Sequence, residues 1–372
     1  MFSKINLLKT LDKFLGKFLS IILTKIIAPR KNKINQIDKI LVIRPGGIGD
    51  AVLLLPSIAL LKEYFPNATI YILAEKRNGE IFKFCPDISK LYLYDEIKKL
   101  DLCRLFKNRY DLVIDTEQWH TLSSIIAYLT KAPIRIGFDT NGRAKLFTHP
   151  VKYSQDDYEA ESFLNLINEI IPEKAKFDTG KKFVFLKTEN RFYSDEIEQL
   201  RSKSKFVAGL FYGATVAERK WGVLNYTKLA NKLIDNGISV VLVGGESDLK
   251  EHEEFLHNIK TKSKIISFIG KTNLEVTANI ISKTDFFISS DSGLMHLAYG
   301  LGVRTLSLFG AGIEKKWAPK GKNSFVINKK LFCSPCTKFG YTPKCPYNVR
   351  CLSEINVDEV YEKTAEVLGV RS

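Results

Sequence analysis

Short apolar runs alternate with stretches whose apolar positions recur at three- and four-residue steps, and the alternation passes through the chain twice. A run that is short and uniformly apolar suits a strand buried on both faces, and a helix between two such strands lets them pair in parallel. The pattern therefore restricts the chain to an α/β fold with doubly wound parallel sheets. In the first series it predicts strands at Lys39–Arg44, Thr69–Leu73, Leu91–Tyr94, Leu112–Asp115 and Ile134–Gly137. Helices are expected from about Asp50 to the Phe65-Pro66-Asn67 stop and near Glu96–Phe106, Thr121–Lys131 and Asp157–Ile171. The second series predicts strands at Phe206–Phe211, Ser239–Val243, Ile265–Phe268, Phe286–Ser289 and Thr305–Phe309. Helices at Val223–Asn236, Leu249–Ile259, Leu274–Ser282 and Leu294–Leu301 lie between them, and Val357–Leu368 closes the chain.

A length of 372 residues accommodates two core-forming domains. The expected division is an arm at 1–35, a first domain at 36–185, a second at 186–353 and a terminal helix at 354–372. Ligands of doubly wound sheets bind outside the carboxyl ends of the strands, so two such domains offer a site for two substrates.

Charge narrows the partner. Lys and Arg number 56 against 41 Asp and Glu, a net +15, which favours an anionic partner. Residues 1–40 hold nine Lys/Arg against Asp12 and Asp38, so +7 of that excess lies there. Phe2, Ile5, Leu8, Leu11, Leu15, Phe18, Ile22 and Ile26 would form one apolar stripe on a helix. Lys17 and Lys25 interrupt the apolar run well short of the roughly 20 residues a bilayer span needs, so the arm is expected to lie on an anionic membrane surface. Packing on the protein's own surface is the competing reading.

Two loops carry most of the chemical information. Arg44-Pro45-Gly46-Gly47-Ile48-Gly49-Asp50 joins the first strand to the first helix. It has part of a dinucleotide fingerprint, with Glu75 as a ribose-binding acid, which would make the protein an NAD-type oxidoreductase. Val52 stands where that fingerprint needs a small residue, and Asp50 puts a carboxylate where a pyrophosphate would sit. Asp50 suits a helix cap or a base at the carboxyl end of a strand. In Asp291-Ser292-Gly293-Leu294-Met295-His296, the amides from Ser292 onward open a helix whose positive end can receive an anion, and Asp291 can accept hydroxyl hydrogen bonds. An ordinary Asp/Ser cap with a packed His296 is the plainer alternative. Tyr212–Trp221 adds Thr215 and two cations, Arg219 and Lys220, a composition suited to a diphosphate.

IRPGGIGDAVLLLPSIALLKEYFP, YGATVAERKW and ISSDSGLMHLAYGLGVRTLSLFG, in that order, resemble the bacterial heptosyltransferases, glycosyltransferase family 9. The resemblance runs over about residues 39–330. It implies the GT-B architecture of two facing Rossmann-like domains, the first binding acceptor and the second the nucleotide sugar. It also implies inverting, metal-independent transfer of a heptose from an ADP-sugar donor to the lipopolysaccharide core, with no catalytic cofactor and no nucleic acid as partner. Asp50 would be the general base and Arg44, Gly46 and Gly47 would lie at the acceptor. Thr215, Lys220, Glu246, Asp291, Ser292, Gly293 and His296 would bind donor. The implied location is cytoplasmic, on the inner face of the inner membrane. A non-catalytic sugar- or nucleotide-binding scaffold is the non-enzymatic alternative.

No Asp-x-Asp pair occurs, so a metal-diphosphate clamp has no candidate, and no Gly-x-Ser-x-Gly elbow, phosphate loop or His-Glu-x-x-His pair is found. Trp119, Trp221 and Trp317 are expected to pack rather than to stack on ligand. Cys85 and Cys103 are isolated, but Cys333, Cys336, Cys345 and Cys351 lie close together amid prolines. They suit a structural zinc or iron, or a set of reduced thiols.

Overall fold

The computed structural model describes residues 36–96, 99–186 and 194–370. The expected amphipathic helix within residues 1–35 lies outside them. The chain divides into two compact units, Met1–Phe177 and Asp178–Ser372. The division precedes the expected 185/186 boundary because Phe183 N and Val184 N both donate to Gly300 O of the second unit.

The first unit holds β1 (Lys39–Arg44), β2 (Thr69–Ala74), β3 (Ile88–Leu93), β4 (Leu112–Asp115), β5 (Ile134–Phe138) and β6 (His149–Val151). All pair in parallel in the order β3-β2-β1-β4-β5-β6. The second holds β7 (Phe206–Phe211), β8 (Ile238–Leu242), β9 (Ile265–Ser267), β10 (Phe286–Ser290), β11 (Arg304–Phe309) and β12 (Ser324–Asn328). Its order, β12-β11-β10-β7-β8-β9, repeats the same topology. Each unit is thus a doubly wound sheet whose strand order reverses beside its first strand, between β1 and β4 and between β7 and β10. Such a switch point opens a crevice at the carboxyl ends, and the loops after these four strands carry the candidate site residues.

Local sequence explains the two central strands. β1, KILVIR, is apolar on both faces and buried from Ile40 onward, and β7, FVAGLF, is buried from Val207 onward. The helix Ile48–Tyr64 follows β1; Ala51–Leu55 are all buried, and its apolar residues run around the helix rather than along one stripe. In the second unit, Tyr212, Trp221, Tyr226 and Phe255 join β7, β8 and β10 in one core, which also takes in Val360, Tyr361 and Leu368 of the terminal helix Val357–Leu368. That helix belongs to the second unit's core. Trp221 is fixed there by a hydrogen bond from Nε1 to Ile355 O at 3.0 Å.

Candidate active site

At the switch point of the first sheet, Arg44 ends β1 and is almost wholly buried. Its Nη1 donates to Thr116 O beyond β4 at 2.7 Å, its Nη2 lies 3.4 Å from Asp50 Oδ2, and its guanidinium carbon lies 5.5 Å from the centre of the Phe163 ring. Burial disfavours the charge, but Asp50, Glu117 and Glu159 outweigh it and raise the pKa further. Asp50 is not the cap of the helix. Gly47 holds that place, and Asp50 sits in the first turn, its side chain about a quarter exposed and near the positive end of the helix dipole. Gly46 has φ +109°, a region that favours glycine, and a Cβ there would lie 2.7 Å from Arg44 Nη2. The loop therefore closes tightly over the guanidinium.

Buried carboxylates surround this pair. Glu117, after β4, accepts hydrogen bonds from Trp119 N and His120 N, and despite burial the charges of Arg44, His120 and Arg143 lower its pKa. Glu159, at the start of the helix Glu159–Ile167, accepts from Tyr153 Oη at 3.0 Å and from Gln118 Nε2. Asp115 and Arg143 form a fully buried ion pair at 2.6 Å. Glu75 is buried after β2 and accepts from Gly46 N at 3.1 Å, from Tyr94 Oη and from Arg77 Nε. Its oxygens serve the loop, which removes the ribose-binding acid of the oxidoreductase reading.

At the second switch point, Asp291 follows β10 and is buried. Ser292 caps the helix Gly293–Gly300, its Oγ accepting from Met295 N at 3.3 Å. His296 lies one turn on, buried, and desolvation lowers its pKa to about 4 against the pull of Asp291. It is neutral at neutral pH, and its Nδ1 has no partner. Arg219 Nη1 lies 3.0 Å from Asp291 Oδ2. Thr215 and Glu246 are exposed after β7 and β8 respectively. Between those loops, Asp248 accepts from Gly245 N at 2.9 Å and would meet a Cβ on Gly213 at 2.3 Å, so one carboxylate locks both turns.

Residues 101–345, well over half of the chain, match the family described as glycosyltransferase family 9 (heptosyltransferase). The chain belongs to that family. Among curated relatives, the lipooligosaccharide heptosyltransferase 2 of Campylobacter jejuni is 24% identical over 89% of this chain and 98% of its own length. Two solved structures share the fold. The Escherichia coli ADP-heptose LPS heptosyltransferase II has a TM-score of 0.71 at 22% identity, covering 89% of this chain and 98% of its own. The glycosyltransferase family 9 protein of Veillonella parvula has a TM-score of 0.72 at 20% identity, covering 92% and 100%. The heptosyltransferase-family chain is thus a glycosyltransferase, with the paired Rossmann-like units of the GT-B fold.

Within this heptosyltransferase-family framework the candidate residues have distinct neighbours. Lys220 Nζ pairs with Glu251 at 2.6 Å, and Arg219 is the cation beside Asp291. The short 3₁₀ turn Ala217–Arg219 sends consecutive side chains to different neighbours, so a pair of adjacent cations could not be assigned from spacing. Arg44 is buried beside Asp50. Glu117, Glu159 and Tyr153 escaped the sequence reading because each arrives from a different segment. Trp221 and Trp317 are buried as expected, whereas Trp119 is partly exposed.

The metal expectation for the cysteines is not supported. Cys333, Cys336, Cys345 and Cys351 are free thiols, and among the described residues no group of three or more His, Cys, Asp or Glu is arranged to hold an ion. Cys351 is packed in the core, where burial and the neighbouring thiols raise its pKa to about 11. Cys345 Sγ instead accepts from Tyr347 N and Val349 N, both at 3.4 Å.

Proposed function

We propose that the protein transfers a heptose from an ADP-sugar to a hydroxyl of a lipopolysaccharide core acceptor, with inversion, Asp50 acting as general base. The observation that carries this reading is the pairing of a partly exposed Asp50 with a buried Arg44 at the switch point of the first sheet. The ion pair and the helix dipole orient the carboxylate, while a quarter of its surface remains open to a substrate. Membership of family 9 and the likeness to the E. coli ADP-heptose LPS heptosyltransferase II support the donor class.

In this mechanism the acceptor oxygen attacks the anomeric carbon as the bond from that carbon to the diphosphate oxygen breaks. ADP leaves with the electron pair. The hydroxyl proton becomes acidic only as the new bond forms, and Asp50 accepts it then, so a carboxylate of modest basicity suffices. Charge building on the leaving diphosphate is met by Arg219 and by the amides that open the helix Gly293–Gly300. Asp291 and neutral His296 are assigned to the donor sugar and diphosphate, Thr215 to phosphate, and Glu246 to the ribose. Gly46 and Gly47 let the acceptor approach the backbone near Asp50. A lipid-linked acceptor and the basic charge of residues 1–35 support a location at the inner face of the inner membrane; among the described residues no helix is long and apolar enough to cross a membrane.

The test is Asp50→Asn. ADP affinity is expected to stay within about twofold while turnover falls by about 10²–10⁴-fold. Unchanged turnover removes Asp50 from the mechanism. Mass spectrometry of lipopolysaccharide from a strain lacking the protein identifies the sugar it adds, and an unaltered core rejects the proposed acceptor.

A further inference from the structure

The Cys-rich segment has no part in the chemistry above, yet it is strapped to the loop that backs the donor site. Ser334 Oγ donates to Gly310 O, and Cys336 N and Thr337 N both donate to Ala311 O, at 3.1 and 3.0 Å. Cys351 Sγ fills the space beside Gly310, where a Cβ would meet it at 2.7 Å. Two residues on, a Cβ at Gly312 would come within 2.1 Å of Asp291 Oδ2. The same three-residue turn thus touches the Cys-rich segment on one side and Asp291 on the other.

From this anchored base the segment extends a tight turn, closed by reciprocal backbone hydrogen bonds between Lys338 and Tyr341 at 2.9 Å. The turn delivers Thr342, whose Oγ1 lies 2.8 Å from Thr337 Oγ1 and 3.4 Å from Arg219 Nη2. The other terminal nitrogen of Arg219 is the one at Asp291, and the guanidinium carbon lies 6.0 Å from the Trp317 ring centre. Arg219 is therefore held through both ends of its fork. A free arginine side chain has many rotamers, and fixing one before the ligand arrives improves affinity by removing that ordering from the binding step.

We propose that Thr342 is a positioning residue: the Cys-rich segment sets the place of the Arg219 charge through the Thr337–Thr342 hydroxyl pair, and so tunes affinity for the donor's diphosphate. Thr342 itself touches no ligand. The inference rests on the proposed role of Arg219 at that diphosphate.

The experiment is a double-mutant cycle read by calorimetric ADP binding to the full chain. Thr342→Val, which keeps shape and removes the hydroxyl, is expected to weaken ADP about three- to tenfold, with an unchanged melting temperature in the absence of ADP and an unchanged KM for acceptor. Thr342→Ser is expected to restore affinity to within about twofold. Thr337→Val, which leaves Thr342 in place, is expected to shift affinity in the same direction by less. In an Arg219→Gln background Thr342→Val should have no further effect. Wild-type affinity in Thr342→Val, or an equal loss in both backgrounds, overturns the proposal while the donor-site reading stands. Wild-type affinity in Arg219→Gln overturns that reading, and this proposal with it.

Discussion

His296 and Arg219 both feel the charge of Asp291 but meet it differently. Burial lowers the histidine pKa to about 4, while the arginine pairs with Asp291 at 3.0 Å. The histidine has a consequence for stability. Its unfolded pKa is near 6.5, so between about pH 6.5 and 4 the unfolded chain binds the extra proton and the native state is disfavoured. The expected contribution is a loss of about 2 kcal/mol by pH 5, absent above neutrality. Urea unfolding of wild type and His296→Gln at pH 7.5 and pH 5 measures it as the difference in pH dependence. Equal pH dependence in the two proteins rejects the assignment. The hexapeptide after β10 suggested the place of His296; its neutrality came from the packing around it.

At the level of elements, the four loops at the two switch points do the positioning, and one buried acid shows how. Glu75 leaves β2 and binds Gly46 N, while Asn78 Nδ2 binds Arg44 O at 3.1 Å, so the second strand's loop holds the first strand's loop from the side. Glu75→Ala strips a partner from Gly46, Tyr94 and Arg77 together. It is expected to cost about 2–4 kcal/mol of the first unit's stability and to lower turnover, with ADP affinity unchanged. Chemical denaturation and calorimetry check both halves; native stability in the variant contradicts the clamp. From residue order Glu75 suggested a ribose contact, because position after β2 is legible and the direction of the carboxylate is not. β6 and β12 were missed for a related reason. β6 is three residues with Pro150 in the middle, and both strands lie at sheet edges where the apolar signal is weak. The central strands were readable because burial on both faces demands an unbroken apolar run.

Over the whole molecule, net charge is concentrated in the arm, with +7 of +15 in residues 1–40. Deleting residues 1–35 is expected to release the protein from anionic vesicles at moderate salt, as read by co-sedimentation; retention places the attachment elsewhere. Apolar periodicity was enough to establish the α/β class and its two series, and three motifs taken together were enough to point to the family, because strand burial and loop glycines leave local marks in residue order. The partners of those motifs left none. That Arg219 rather than Lys220 meets Asp291 and that Arg44 is enclosed by Glu117 and Glu159 depend on side chains brought together across many intervening residues. Such contacts arise when the sheets close and the buried charges find whichever groups can satisfy them, and spacing along the chain carries no record of that choice.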